Sequence, residues 1–136
     1  MRKIKIIIYI LLIVVLSSCS SETIKKEIYG PWGIDTLMYN NEDCLSKLYV
    51  NYIYFDNKNA ILPISGERCA IKNNYQEGIW KISNLQSKHI LTIETKNYFF
   101  KEREFELNVI YYSNYKKKIL RIKSDSLYLI GSRIER

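Results

Sequence analysis

The chain has 136 residues, of which 47% are hydrophobic and 26% charged. Those proportions describe one ordinary globular domain and exclude a collagenous or disordered chain. Basic residues outnumber acidic ones by 21 to 14, a net charge of +7. Three cysteines and a single histidine leave little for a zinc site or histidine-centred catalysis.

At the start, Arg2, Lys3 and Lys5 precede an apolar run from Ile6 to Leu16, and the small residues Ser17 and Ser18 follow. A positive start, a short apolar core and small residues, in that order, make an export signal. The run is shorter than the roughly 20 apolar residues of a spanning helix. Leu16-Ser17-Ser18-Cys19 resembles the lipobox of bacterial lipoproteins. That resemblance implies a signal peptide over 1–18 that is removed and a Cys19 that receives a diacylglyceryl thioether. The new terminus is then N-acylated, a palmitate-type modification. One acyl chain holds only marginally, whereas two or three make attachment effectively permanent. An uncleaved anchor and a plain secretory signal with an unmodified cysteine are the competing readings.

Residues 19–29 are polar and are expected to form a lipidated tether. No Asp follows Cys19 and no acidic run appears. By resemblance to other lipoproteins, this favours the outer membrane, with the protein facing the periplasm. Cys44 and Cys69 remain as an even pair in an oxidising compartment. A disulfide between them would close a loop of about 25 residues and add about 3 kcal/mol. Two separately placed thiols are the alternative, and no Cys-x-x-Cys spacing suggests redox work.

From residue 30 to 136 apolar residues recur with period two, and polar clusters interrupt them every eight to twelve residues. The pattern predicts an all-β, antiparallel up-and-down meander in one domain, 30–136. The expected strands are 32–38, 48–55, 60–64, 68–72, 78–83, 89–95, 104–112, 118–123 and 126–133. Asp56-Asn57-Lys58-Asn59 reads as a turn, and Asn73-Asn74, Asn84, Lys96-Asn97 and Ser113-Asn114 punctuate similarly. Closing such a meander into a barrel removes its exposed edges. No stretch of helical period is expected after the leader.

Gly30-Pro31-Trp32 opens the first of these strands, and Gly78-Ile79-Trp80 repeats the triplet mid-chain. Ser113-Asn114-Tyr115 stands two strands from the end, and Arg133 closes the last. The layout resembles lipocalins, and in particular the short lipocalin-like lipoproteins of Bacteroidota. It departs from the family in carrying Ser-Asn where lipocalins have Thr-Asp, and in lacking a C-terminal helix. The resemblance implies a lipocalin-like β-barrel with Trp32 and Arg133 as its sealing pair, a cation over an indole face worth about 0.5–2 kcal/mol. Trp80 is expected to be an ordinary buried aromatic.

Along 104–112 the residues Phe105, Leu107, Val109 and Tyr111 share one face, and are expected to line or fill a barrel interior. Glu102, Glu104 and Glu106 fall on the other, solvated face. His89 has no partner that suggests a triad or a metal site. Lys116-Lys117-Lys118, with Arg121 and Lys123, makes a basic hairpin flanked by Tyr111, Tyr112 and Tyr115. Lipid headgroups are a plausible contact for it, and nucleic acid is not expected for an exported chain. Asp35-Thr36-Leu37 and Asp125-Ser126-Leu127 resemble the acceptor triplets of O-glycosylation in Bacteroidota.

No catalytic residue, cofactor or metal site is expected. The leading expectation is a membrane-anchored envelope lipoprotein whose barrel binds a small apolar ligand or lipid. The alternative is a protein-interaction module, an envelope assembly factor or an inhibitor of a periplasmic enzyme, with a packed, ligand-free barrel.

Overall fold

A computed structural model describes residues 2–66 and 75–135; within its helix, side chains are described for 3–11 and 21–28. The chain opens with α1 (Arg2–Ile28), and strands follow: β1 (Gly30–Tyr39), β2 (Glu42–Asp43), β3 (Leu48–Val50), β4 (Tyr52–Phe55), β5 (Asn59–Ile61), β6 (Ile64–Ser65), β7 (Glu77–Leu85), β8 (Lys88–Thr95), β9 (Glu104–Tyr112), β10 (Lys117–Lys123) and β11 (Leu127–Ile134). Eight of them, β1, β4, β5, β7, β8, β9, β10 and β11, pair antiparallel in that order, and β11 pairs back onto β1. The result is a closed antiparallel barrel in which each barrel strand neighbours the next in the chain. Only β2 extends from β1 outside the ring, and β3 pairs with β6 separately.

Alternation of side chains builds the core. In β1 the buried positions are Trp32 and Ile34, then Leu37 and Tyr39. The pairing with β11 shifts register between Ile34 and Thr36. An extra residue there resets the alternation, as a β-bulge does. The expected strand over 48–55 is broken at Asn51, whose carbonyl accepts the Ile34 amide. The expected strand over 60–64 is broken around Pro63, which has no N–H to give to a ladder. The expected strand 68–72 lies outside the described residues, as does Cys69 and with it the Cys44–Cys69 pairing; Cys44 itself is buried.

Residues 19–29, expected as a lipidated tether, are helical through Ile28. The helix runs unbroken to Ile28, and Ile24 and Ile28 belong to the core. They are four residues apart, so both lie on one helix face, which packs against the barrel end formed by β7 and β9. The domain therefore begins before residue 30.

At the opposite end the chain plugs itself. A short 3-10 turn over Tyr98–Phe100 drops Phe99 and Phe100 into the interior, where Phe100 meets Phe105 edge-on. Asn97, fully buried, holds that turn in place. Its carbonyl oxygen accepts the Phe99 amide, and its NH2 donates to the carbonyls of Pro63 and Tyr75 at 2.8 and 2.7 Å. Nearby, the Ser124 and Ser126 hydroxyls hold the Glu102 carboxyl below the usual carboxylate range. Glu102 sits in the turn before β9, and only Glu104 and Glu106 lie on the strand itself.

Asn97→Ala should lower stability by about 2–3 kcal/mol in urea titrations, because two buried carbonyls lose their donor. The depressed Glu102 value sets a pH dependence as well. The folded state favours its carboxylate, so this stabilisation is complete above the ordinary carboxylate range and is lost as pH falls through the depressed value. A Ser124→Ala/Ser126→Ala double variant should accordingly be less stable than wild type at neutral pH. The difference should shrink as pH falls through the depressed Glu102 value, down to the part that comes from losing the Ser124 hydroxyl as acceptor of the Leu127 amide, as read by the same titration across acid pH.

Candidate functional site

The residues that close the helix end of the barrel form its most connected constellation. Gly30 follows the helix at φ +96°, a conformation that L side chains rarely adopt. A Cβ built on it would stand 3.3 Å from the Arg133 guanidinium. Glycine is thus required twice over, by backbone angle and by space. Two residues later Trp32 is fully buried, and its indole N–H donates to the Ile28 carbonyl at 2.8 Å.

Arg133, arriving on β11, places its guanidinium 4.1 Å over the Trp32 ring. The same group donates to the carbonyls of Tyr29 and Glu27. Those carbonyls lie at the C-terminus of α1, where unpaired C=O groups and the negative end of the helix dipole attract a cation. Burial pushes the Arg133 guanidinium down from its ordinary value, while the charges of Glu135 and Glu27 pull it back up. Trp32 and Arg133 are therefore in contact, and both bind the helix to the barrel.

Trp80, from the second Gly-x-Trp triplet, is also buried at this end. Its indole N–H donates to the Asp56 carbonyl at 2.7 Å, and Phe55 and Tyr29 pack edge-on against it. Gly78 serves a different purpose from Gly30. A Cβ there would lie 3.0 Å from Ile93 and 3.2 Å from Leu62, inside the packed wall.

Of the four expected lining residues, Phe105 and Leu107 are buried and point inward. Val109 is half-buried, in a groove of about 600 Å³ between α1 and the β7–β8 and β9 segments, with Thr23, Ile24 and His89. Tyr111 does not line the interior, being 51% exposed. The cause lies in the register. β9 pairs with β8 only from Glu104 to Leu107, so Asn108–Tyr112 have β10 alone as a neighbour and project past the wall.

The interior itself is occupied. Trp32, Leu37, Ile53, Phe55, Leu91, Ile93, Phe99, Phe100 and Phe105 are all essentially inaccessible. A surface groove of about 780 Å³ lies on the outer wall, lined by Asn59, Tyr75, Glu77, Ile79, Glu94 and Lys96 among others. Ile79 is 57% exposed there. β5 pairs with β4 through only two residues and with β7 through three, which leaves the wall thin beside it.

His89 is paired across its hairpin with the Asn84 side chain at 2.7 Å. Among the described residues no group of three His, Cys, Asp or Glu is placed to hold a metal ion. Ser126 of one glycosylation-like triplet is bonded to Glu102, and Thr36 of the other is half-buried inside β1. Sequence reasoning missed Ile24, Ile28, Asn97, Phe99 and Phe100. The four-residue spacing of the two isoleucines was the one available signal for the helix.

Arg133→Ala should destabilise the protein by about 2–4 kcal/mol, since it removes the cation over the indole and leaves helix carbonyls unpaired. Arg133→Lys should recover only part of this, because an ammonium cannot stack and reach two carbonyls at once. Thermal and urea unfolding of both variants provides the check.

Among the described residues no helix is long and apolar enough to cross a membrane. Compared with protein-family models, curated proteins and solved structures, the chain matches none.

Proposed function

We propose that this chain is a non-enzymatic, membrane-anchored lipoprotein of the cell envelope whose lipocalin-like barrel serves as a protein-interaction module. Its anchor is a lipidated Cys19 after removal of the signal peptide, and its place is the outer membrane, facing the periplasm. The lipobox-like Leu16-Ser17-Ser18-Cys19 supports the anchor. The lipocalin-like reading draws on the Gly30-x-Trp32 opening, the eight-stranded next-neighbour ring and the Arg133 guanidinium over the indole.

One observation favours the interaction module over a carrier of small apolar ligands. The space a ligand would fill is taken by the protein's own side chains, Phe99 and Phe100 from one end and Trp32, Ile24 and Ile28 from the other. A barrel of this size has room for its side chains or for one small ligand. The outer groove at Tyr75 and Ile79 is then the favoured contact site. It offers an exposed aromatic and an exposed aliphatic between the charges of Glu77, Glu94 and Lys96, a mixture suited to a protein partner.

Three measurements test the reading. Cys19→Ser should move the protein from the membrane to the soluble fraction, and an unchanged distribution would count against lipidation. A photocrosslinker at Ile79 should capture one dominant envelope protein, and Tyr75→Ser should reduce that yield several-fold. Native mass spectrometry that found a stoichiometric apolar ligand in the purified protein would instead restore the carrier reading.

A further inference from the structure

We infer that the helix end of the barrel is a membrane-docking face, built to rest against an anionic phospholipid surface. The inference rests on the anchored-lipoprotein reading and extends it from the anchor to the folded domain. It begins with the helix. Ile24 and Ile28 lock the last turns of α1 into the barrel, and Arg133 ties down its final carbonyls. Position 19 lies five residues before Ile24 in the same unbroken helix, roughly 7–8 Å along its axis at 1.5 Å per residue. A lipid attached there is joined to the domain by a short rigid rod rather than a loose tether. Further out, Ile4, Ile6, Ile7, Ile8, Ile10 and Leu11 are each more than half exposed, an apolar surface covered by nothing in the fold. On the anchored-lipoprotein reading that segment is removed with the signal peptide and Cys19 carries the anchor, which puts the bilayer at this end.

The end that faces it has the composition of a membrane-interface rim. The β9–β10 hairpin, which projects past the wall here, exposes Tyr111, Tyr112 and Tyr115, the last at 77%. Leu85 on the β7–β8 hairpin and Ile134 at the end of β11 are exposed beside the helix as well. Tyrosine favours the headgroup level, where its ring is in apolar surroundings and its hydroxyl is wet. Lys116 and Lys117 stand on the same hairpin and Lys26 on the helix, and none has an ion-pair partner among the described residues. Lys88 flanks them. The opposite end carries Glu42, Asp43, Glu77, Glu102, Glu104 and Asp125 interleaved with Lys96, Lys101, Arg103 and Lys123. At the helix end Lys26, Lys88, Lys116, Lys117, Lys118 and Arg133 outnumber Glu22, Glu27, Glu106 and Glu135, so the basic excess is on the face that would meet an anionic surface. Each lysine close to such a surface strengthens binding by about fivefold.

The test uses the full chain reconstituted into vesicles of phosphatidylcholine and phosphatidylglycerol in equal parts. Amine acetylation is read residue by residue, each lysine against its own rate in detergent. Lys26, Lys116 and Lys117 should react at least about fivefold more slowly on the vesicles, while Lys101 and Lys123 at the far end keep their rates. High salt should return the three toward their detergent rates, because exposed charges are screened. A Lys116→Glu/Lys117→Glu variant should still float with the vesicles yet lose the protection of Lys26. Wild-type protein that floats with Lys116 and Lys117 as reactive as in detergent would overturn the docking face and leave the anchor standing. Protein that does not float with the vesicles would overturn the anchor reading and this inference together.

Discussion

The Arg133 guanidinium is the point where three separate parts of the chain meet. It lies on the ring of Trp32 from the first strand, donates to the last carbonyls of the N-terminal helix, and is carried by the last strand. A buried cation is costly unless its donors are satisfied, and here helix carbonyls and an aromatic face meet that requirement together. The β1–β11 seam and the docked helix therefore share one side chain. Gly30, Trp32 and Ile28 have their identities because of it: glycine for the angle and the space, indole for the face and the N–H, isoleucine for the plug.

The two ends of the barrel are closed by different means, and the difference bears on what the molecule can do. One end is closed by a helix whose other half projects outward as an uncovered apolar surface. The other is closed by a 3-10 turn pinned through Asn97, with Phe99 and Phe100 descending into the axis. With both plugs in place the interior contributes packing rather than binding space. The exposed features are then on the outside: the groove at Tyr75 and Ile79 on the wall, and the tyrosines and lysines around the helix.

Much of the wall was legible because strand periodicity is local. Phe105 and Leu107 alternate with Glu104 and Glu106, and 104–112 is a strand over that same span. The alternation says which residues share a face, but not where a neighbouring strand stops. Tyr111 keeps the parity of Phe105 and is nevertheless exposed, because β8 ends its pairing at Leu107. The helix was obscured for the opposite reason. A polar composition over 19–29 reads as a tether, and only two isoleucines carry the packing face. The turn at Gln86-Ser87, with both residues at positive φ, lacks the glycine or asparagine that usually marks such a position.

From the sequence by itself came an all-β chain of short antiparallel strands after an apolar leader, together with the residues most suited to sealing a closed sheet. The strands and the apolar run follow from side-chain period, turn chemistry and the order of charge, apolar run and small residues, all properties of neighbours along the chain, whereas the sealing pair was implied by the resemblance to lipocalins. Tertiary structure alone decided which eight strands make the closed ring, that the helix enters the domain, and that Phe99 and Phe100 occupy its axis. Each of those depends on contacts between residues far apart in sequence. Arg133 reaching the Tyr29 carbonyl across more than a hundred residues is the plainest of them, and no local pattern encodes such a meeting.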